Sequence, residues 1–345
     1  MSSSPKFAAV LGELGSAGGI TPQTVRAVFD AILRGEWTPV QVAGFLVALR
    51  MRGESAETIA AAAEAMRGAM VAVDHQLPCV IDTCGTGGDG LGTLNLSTGA
   101  AIIVAACGVP VAKHGNRAVS SRAGSADVLE ALGIALDLPA SSAGDILREA
   151  NIAFLMAPVH HPAMKHAIQA RRELGIRTVF NCLGPLANPA RATHQLLGAY
   201  DDTLRGVLAR TLRTLGTQRA WVVHGSDGLD EISPGGRTRV TEVDGSSINE
   251  LEVAPEDFGL KPLARDAIAG GDAAFNAQAL QTVLSGEPHP AADAFVLNAA
   301  AALVIAKRMP PRQAADSARE ALASGAAKRA MDTWRAAVTK RRPAS

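Results

Sequence analysis

Apolar residues recur at helical spacing over the first ~70 positions of the chain. Thr21-Pro22 and Thr38-Pro39 each combine a capping hydroxyl with a proline suited to the first helical turn, and Glu54-Ser55 precedes a third apolar segment. After each start, apolar side chains return every three or four residues, as Val25 and Val28 do. The pattern predicts a small bundle of amphipathic helices joined by short turns.

Beyond Pro78 the pattern changes to short apolar segments that alternate with glycine-rich turns and alanine-rich helical stretches. The segments that read as strands are 79–81, 109–112, 152–156, 195–199, 220–223 and 239–243. Strands separated by helices favour an α/β domain with a mainly parallel sheet. A further helical pattern at 163–174 leaves open whether that segment packs back toward the first bundle.

Length and composition narrow the class of protein. The chain has 345 residues, which at ~150 residues per domain predicts about two domains. Lys plus Arg and Asp plus Glu both number 33, so the formal net charge is zero and a general nucleic-acid binder is disfavoured. Apolar residues make up 48% of the chain, but its longest apolar stretches fall short of the ~20 residues that cross a bilayer. We therefore expect a soluble protein that binds neither membrane nor nucleic acid.

The cysteines and the N-terminus bear on the cellular compartment. Cys79, Cys84, Cys107 and Cys182 show no CxxC pairing, so we expect buried thiols rather than a disulfide framework. The polar start of the sequence shows no secretion signal. Both features favour a reducing cytoplasm.

A glycine-rich segment, Asp82-Thr-Cys-Gly-Thr-Gly-Gly-Asp-Gly90, follows the first predicted strand. Glycines let backbone N–H groups approach an anion closely, so a phosphate site and a plain tight turn fit this segment equally well. Its spacing matches neither a Walker A loop nor a dinucleotide-binding motif. Asn95-Leu-Ser-Thr98 then precedes an apolar helix, where it is suited both to capping and to anion binding at a helix N-terminus.

The next predicted strand ends in a polar turn, Lys113-His-Gly-Asn-Arg-Ala-Val-Ser-Ser121, and Ser125 follows shortly after. One lysine, one arginine, one amide and several hydroxyls can bind many phosphate oxygens at once. Loops at the carboxyl ends of parallel strands are also where open α/β sheets bind ligands. A solvated polar loop is the alternative.

The segment from His160 to Gly175 predicts a helix with Pro162 in its first turn. Helical spacing places Arg171 on the apolar stripe with Met164, Ala167, Ile168 and Leu174. A cation on that face needs an acidic partner, which could equally be a substrate carboxylate or an acidic side chain of the chain itself. His160 and His161 lack the spacing of a zinc motif.

A last polar segment runs from His224 to Ser233 and contains the neighbouring carboxylates of Asp230 and Glu231. Adjacent carboxylates repel each other, and Mg²⁺ is one way to keep both ionised in a loop at a strand end. A solvated acidic turn explains the same residues.

Taken together, these segments resemble the anthranilate phosphoribosyltransferase family. The matching motifs are Gly85-Thr-Gly-Gly-Asp-Gly, Thr93, Asn95-Leu-Ser-Thr98, Lys113 to Ser121, Arg172 to Pro189 and Asp227-Gly-Leu-Asp-Glu231. The match runs in order from about Pro22 to about Ala323. Leu94 and Ala118 depart from the residues that the family more often has there.

The resemblance implies the fold of the nucleoside phosphorylase and phosphoribosyltransferase type. A small helical domain would comprise residues 1–75 with a helical insertion from about 163–190, and a larger α/β domain with a mainly parallel sheet would comprise 76–345. The helical part would form a homodimer. The implied reaction transfers the 5-phosphoribosyl group of 5-phosphoribosyl-1-diphosphate (PRPP) to the amino nitrogen of anthranilate, with Mg²⁺, in tryptophan biosynthesis.

The resemblance also implies the binding residues. PRPP would be bound by Gly85, Gly88, Asp89, Thr93, Asn95, Leu96, Ser97, Thr98, Lys113, His114, Gly115, Asn116, Arg117, Ala118, Val119, Ser120, Ser121 and Ser125. Anthranilate would be bound by Asn116 and Arg171 in a pocket with Gly85, His114, His161 and Pro185. Mg²⁺ would be held by Ser97, Asp230 and Glu231. No residue is assigned as a general base, because an aromatic amine is already unprotonated at neutral pH.

Two rival functions remain. A pyrimidine nucleoside phosphorylase shares the architecture and a similar Lys-His-Gly loop, but such enzymes usually carry a further C-terminal domain. A non-enzymatic relative that binds nucleic acid should show a basic surface and lose the Gly85 loop or the Asp230–Glu231 pair.

Overall fold

The computed structural model describes residues 4–118 and 122–342, and it begins with helices. Their bounds are α1 (Phe7–Gly15), α2 (Pro22–Leu33), α3 (Pro39–Arg52) and α4 (Ala56–Ala69). The Thr21 hydroxyl accepts a hydrogen bond from the Thr24 N–H, and Thr38 and Gln41 form a reciprocal capping box. The three helices predicted from their starts are therefore confirmed, and α1 precedes them.

A seven-stranded sheet forms the centre of the second part. Its strands are β1 (Ile81–Gly85), β2 (Val111–Gly115), β3 (Ile152–Met156), β4 (His194–Gly198), β5 (Arg219–Gly225), β6 (Thr238–Asp244) and β7 (Ser247–Val253). They are ordered β3-β2-β1-β4-β5-β6-β7; β1 to β5 are parallel, and β6 and β7 are antiparallel additions. The expected α/β class with a mainly parallel sheet is confirmed.

The first two strands begin two residues later than predicted and extend further. Pro110 has no N–H to donate, so it joins the sheet only through its carbonyl, which accepts from the Ile81 N–H at 2.9 Å. The third predicted strand has the observed bounds. β7 was not predicted; it lies at the end of the sheet, and its Glu250 and Glu252 are exposed.

Helices cover both faces of this sheet. The remaining α-helices are α5 (Leu96–Ala106), α6 (Ser125–Ala131), α7 (Ala143–Ala150), α8 (Ala157–His160), α9 (Lys165–Leu174), α10 (Phe180–Leu186), α11 (Asp202–Thr214), α12 (Ala273–Leu284), α13 (Ala292–Lys307), α14 (Pro311–Ala323) and α15 (Ala326–Thr339). Short 3₁₀ turns occur at Ala140–Ser142, Pro162–Met164, Pro255–Phe258 and Arg265–Ile268.

The core consists of two hydrophobic clusters, one on each face of the sheet. In β4 and β5 neighbouring residues belong to different clusters: Leu196 lies in one and Leu197 in the other, as period-two geometry predicts. The first cluster takes its helical residues from α5 to α7 and α12 to α15, and the second from α1 to α4 and α9 to α11. Helix α5, which carries the first polar segment of the site, is thus buried under one face.

The helices α9 and α10 pack against the N-terminal bundle. The rings of Phe29 in α2 and Phe180 in α10 have centroids 5.3 Å apart, and Ala167 and Ala170 of α9 are buried in the same cluster. The bounds 1–75, 163–190 and 76–345 given for the domains stay a prediction.

In the described ranges no helix is both long and apolar enough to cross a membrane. The four cysteines carry free thiols. The expectation of burial holds for Cys182, whereas Cys79, Cys84 and Cys107 are half-buried. Cys84 has a polar neighbour, since its Sγ accepts a hydrogen bond from Gln195 Nε2 at 3.3 Å.

Candidate active site

The polar segments found in the sequence lie at the carboxyl ends of the parallel strands. The strands β1, β2, β4 and β5 end at Gly85, Gly115, Gly198 and Gly225 respectively. Neighbouring parallel strands end at the same edge of a sheet, so the loops that follow them come together there.

The loop after β1 is joined to the acidic segment after β5. The Gly87 N–H donates to Asp230 Oδ2 at 2.9 Å, and a Cβ on Gly85 would overlap that same carboxylate. The Thr86 N–H donates to the Gly198 carbonyl at 2.8 Å. Because the two segments are 143 positions apart in sequence, only the fold brings them together.

The other carboxylate of the pair is bound to the N-terminus of α5. The Ser97 N–H donates to Glu231 Oε1 at 3.1 Å. Burial, followed by the charge of Asp230, raises the pKa of Glu231 to about 8. Burial and the nearby Asp89 also raise the pKa of Asp230. Two crowded, desolvated carboxylates thus lie beside a helix N-terminus.

Lys113 is a cation whose charge acts on Glu231 of this pair. Its side chain is 2% exposed, and its Nζ donates to Ser97 Oγ at 3.2 Å and to the Thr83 carbonyl. The positive charge of Lys113 lowers the pKa of Glu231, against the larger effect of burial. Lys113 therefore partly balances the carboxylates from the side of β2.

The carboxylates of Asp230 and Glu231 are suited to binding Mg²⁺ in particular. In the described ranges no three His, Cys, Asp or Glu side chains form a ready metal cage. Mg²⁺ usually binds one or two carboxylates and fills its remaining positions with water and phosphate oxygens. Two half-buried carboxylates whose ionised forms are disfavoured without a cation fit that requirement.

The remaining predicted residues of the first βα unit lie between β1 and α5 or in the first turn of α5. Asp89 Oδ1 accepts from the Leu91 N–H at 3.1 Å, and Thr93 forms an isolated bridge with Ala269. Asn95 Oδ1 accepts from Asn276 Nδ2 at 2.9 Å. Leu96 and Thr98 are buried. Within the part of the chain that the structure describes, the Thr98 hydroxyl has no hydrogen-bond partner.

A buried carboxylate that was missed from the sequence supports the second loop. Asp82 Oδ1 accepts from the His114 N–H at 3.2 Å, and Asp82 Oδ2 accepts from Asn188 Nδ2 at 2.8 Å. Burial raises the pKa of Asp82 to about 6, and the charge of Lys113 opposes this. Asp82 thus connects β1, the start of the Lys113 loop and the segment after α10.

The structure describes the second loop only in part. Asn116 Oδ1 accepts from the Arg117 N–H at 2.8 Å, and the Ala118 N–H donates to Asp127 Oδ2 at 2.9 Å. The Arg117 guanidinium is bound to Glu130 and Asp127 of α6. Gly115 ends β2, and Ser125 Oγ donates to the Asn116 carbonyl at 3.4 Å. Val119, Ser120 and Ser121 lie outside the described residues.

Two uncharged histidines lie next to each other here, His114 in this loop and His161 after α8. The imidazole centroids of His114 and His161 are 5.1 Å apart, and His114 Nδ1 lies 2.9 Å from the Gly184 carbonyl. Burial lowers the pKa of His114 to about 3 and that of His161 to about 4. Both Nε2 atoms are buried without a partner among the described residues. The neighbouring Pro185 is buried in α10.

Arg171 lies on α9, close to α10. Its Cζ is 5.1 Å from the Phe180 ring centroid, and burial lowers its pKa. In residues 4–118 and 122–342 no acidic side chain pairs with it. The predicted stripe is wrong at one position: Ile168 is 46% exposed, because the buried face of α9 passes through Ala167 and Ala170.

Arg177 is a second residue that was missed. Its Nη2 donates to the Gly88 carbonyl at 2.6 Å and its Nη1 to the Gly87 carbonyl at 3.3 Å. Its Cζ lies 3.6 Å from the centroid of the Tyr200 ring. The sequence gives no periodic signal for this contact, since Arg177 lies in the irregular segment between α9 and α10.

This fold and site define a class, the glycosyl transferases built of a helical bundle and an a/b domain. Residues 9–70 match the model described as "Glycosyl transferase family, helical bundle domain", and residues 77–328 match "Glycosyl transferase family, a/b domain". The two matches together cover most of the chain.

Individual relatives narrow this class. The anthranilate phosphoribosyltransferase of Symbiobacterium thermophilum is 48% identical over 95% of this chain and 96% of its own length. The crystal structure of the Thermus thermophilus enzyme of that name has a TM-score of 0.90 at 43% identity, covering 96% of this chain and 99% of that one. The Saccharomyces cerevisiae enzyme, in complex with PRPP and Mg, has a TM-score of 0.89 at 29% identity, covering 97% and 98%. This chain belongs to the anthranilate phosphoribosyltransferase family, as the sequence motifs predicted.

Proposed function

We propose that this chain transfers the 5-phosphoribosyl group of PRPP to the amino nitrogen of anthranilate. The products are N-(5-phosphoribosyl)anthranilate and diphosphate, and the reaction is a step of tryptophan biosynthesis. The observation that supports this best is the meeting of the glycine loop, the N-terminus of α5 and the Asp230–Glu231 pair at one edge of the sheet.

The bond from the anomeric carbon to diphosphate breaks with positive charge on the ribose and negative charge on the leaving group. Catalysis therefore consists mainly of neutralising the diphosphate and aligning the reactants. We assign the first task to the loop N–H groups after Gly85, to Lys113 and to the N-terminus of α5. A contribution from the Arg117 side chain requires its guanidinium to exchange Glu130 for phosphate.

The residues that would hold Mg²⁺ are Asp230, Glu231 and Ser97. Bound there, the ion supplies counter-charge to the diphosphate. Both carboxyl groups must be ionised to bind it, so their raised pKa values make the pair dependent on a cation.

Anthranilate would bind between α9, α10 and the Lys113 loop. A substrate carboxylate there would provide the acidic partner that Arg171 lacks among the described residues. The neutral rings of His114 and His161, with Pro185, would line the pocket without adding a competing charge. Asn116 would contact the same substrate, and no residue needs to act as a strong base.

Two further proposals concern the setting of the enzyme. We propose a homodimer formed through the helical part. On the outer face of α3, Val40 is 79% exposed and Met51 82%, with the partly exposed Val47 between them. We also propose a cytoplasmic location, because the four free thiols suit a reducing compartment.

The assay that tests the reaction follows the loss of anthranilate fluorescence with PRPP and Mg²⁺. We expect turnover that depends on all three components. A parallel assay with thymidine and inorganic phosphate tests phosphorolysis. Phosphorolysis without anthranilate turnover would favour a pyrimidine nucleoside phosphorylase, and inactivity in both assays would leave the proposal without support.

A further inference from the structure

Arg177 joins the segment between α9 and α10 to the glycine loop after β1. Its guanidinium donates to two consecutive loop carbonyls, those of Gly87 and Gly88, and lies against the Tyr200 ring. A planar guanidinium can make these contacts together because it carries several N–H donors and a flat face.

The two peptide units that Arg177 binds have a defined direction. In a trans peptide the C=O and the following N–H point to opposite sides. When Arg177 binds the carbonyls of Gly87 and Gly88, the N–H groups of Gly88 and Asp89 must point away from it. In the described part of the chain, neither N–H has a hydrogen-bond acceptor.

The glycine loop and the Arg177 side chain are in close contact at Gly88. Gly88 has φ +80°, and a Cβ there would overlap the guanidinium of Arg177. The other end of the loop is fixed independently: the Tyr200 N–H donates to Thr86 Oγ1 at 3.0 Å, and the Gly87 N–H donates to Asp230. The orientation of the Gly87 and Gly88 peptides is therefore the part of the loop that depends on Arg177.

The segment that carries Arg177 is itself anchored. Arg50 of α3 donates through Nη1 to the Arg177 carbonyl, and the Thr178 N–H donates to Asn181 Oδ1 at 2.9 Å. The backbone at Arg177 is therefore held in place by hydrogen bonds, and the side chain reaches from it to the glycine loop.

We propose that Arg177 is a positioning residue that orients the Gly88 and Asp89 N–H groups toward the diphosphate of PRPP. The proposal rests on the proposed function, because it assigns a role to a side chain that touches the loop and not the reacting atoms. It predicts an effect on the phosphate side of the site and little effect on anthranilate.

The first experiment compares Arg177→Ala, Arg177→Lys and the control Arg172→Ala. Arg172 is exposed on α9, outside the proposed binding residues. We expect the Kd for inorganic diphosphate with Mg²⁺, measured by calorimetry, and the KM for PRPP to rise about tenfold in both Arg177 variants. Lysine should not rescue binding, because one ammonium group cannot hold two carbonyls and stack on the ring. The KM for anthranilate and all constants of Arg172→Ala should stay within about twofold.

The second experiment uses the single tyrosine of the chain, Tyr200. The protein labelled with 3-fluorotyrosine should give one ¹⁹F resonance that reports the ring beside Arg177. We expect this resonance to shift in Arg177→Ala and Arg177→Lys and to stay in place in Arg172→Ala.

These experiments distinguish a failure of the positioning role of Arg177 from a failure of the proposed function. Unchanged diphosphate affinity in an Arg177 variant with a shifted ¹⁹F resonance would overturn the positioning role. Equal losses toward PRPP and anthranilate, with a lowered melting temperature, would also overturn it, because they indicate a general structural role. A wild-type chain that bound neither PRPP nor diphosphate would overturn the proposed function itself.

Discussion

Arg171 illustrates how burial turns one charge into a specific binding group. The half-buried guanidinium of Arg171 keeps its charge but has lost part of its hydration. A ligand carboxylate that pairs with it is therefore bound more strongly than it would be by a fully hydrated arginine. Arg171→Ala should therefore raise the KM for anthranilate by about 10- to 100-fold, the loss of a charge-assisted hydrogen-bonded pair. The KM for PRPP should change far less, as steady-state kinetics with each substrate varied in turn will show. Equal changes in both constants would contradict the assignment, and Arg172→Ala serves as the matched control.

The burial of the Asp82 carboxyl predicts a pH dependence of the free energy of unfolding. Burial raises its pKa from 3.8 to about 6, so the folded state disfavours the ionised carboxylate. The resulting stability is present below the unfolded pKa and is lost as pH rises through about 6. From pH ~4.5 to ~7.5, the stability of Asp82→Asn relative to wild type should increase by about 2 kcal/mol.

Urea unfolding of both proteins at the two pH values measures this difference. Taking the difference between the proteins removes the titration of all other groups that the substitution leaves unchanged. A constant difference would show that Asp82 ionises in the folded protein as readily as in the unfolded chain.

Local residue chemistry made the glycine loop, the Lys113 loop and the acidic pair recognisable in the sequence. Asp82, Asn188 and Arg177 were missed because their roles come from contacts made only in the folded chain. Arg117 shows what charge alone leaves out: it suggests phosphate binding, and the structure adds that Glu130 and Asp127 pair with the guanidinium, so its role in binding PRPP stays a prediction.

Among the secondary-structure elements, capping residues gave the most reliable information. Thr38 accepts from the Gln41 N–H while Gln41 Oε1 accepts from the Thr38 N–H at 2.9 Å, which satisfies two donors at the start of α3. Thr38→Ala should lower the free energy of unfolding by about 1 kcal/mol. Thr214→Ala, at the exposed C-terminal end of α11, should change it by less than about 0.5 kcal/mol. Urea denaturation distinguishes the two, and equal effects would contradict the capping argument.

The strands were harder to place than the helices. Apolar content located β3 correctly because both faces of that strand pack against protein, but it gave no signal for β7. The sequence Ser-Ile-Asn-Glu-Leu-Glu-Val of β7 mixes exposed polar residues with the half-buried Ile248 and Leu251 and the buried Val253. A strand at the end of a sheet need not be apolar, so periodicity alone could not identify it.

At the scale of the whole molecule, α3 connects two proposals. Its outer face carries the apolar residues proposed for the dimer, and its Arg50 holds the segment that carries Arg177. Substituting Val40→Lys and Met51→Lys together should convert the dimer into a monomer by placing charges in an apolar contact. Sedimentation velocity at micromolar concentration measures this.

The control for this experiment is Val71→Lys, which places one lysine at a partly exposed valine outside α3. It should leave the sedimentation coefficient unchanged. A wild-type chain that sedimented as a monomer would contradict the proposed dimer.

The polar character of β7 has a consequence for the behaviour of the protein in concentrated solution. An outermost strand offers unpaired backbone groups to any other chain, which is a common route to aggregation. Glu250 and Glu252 place negative charge along this border, and Arg205 and Arg237 bind them from within the same chain. A second molecule that approached edge to edge would have to remove water from these ion pairs, which is costly. Glu250 and Glu252, which made β7 unrecognisable from hydrophobic periodicity, therefore also disfavour edge-to-edge association of the sheet.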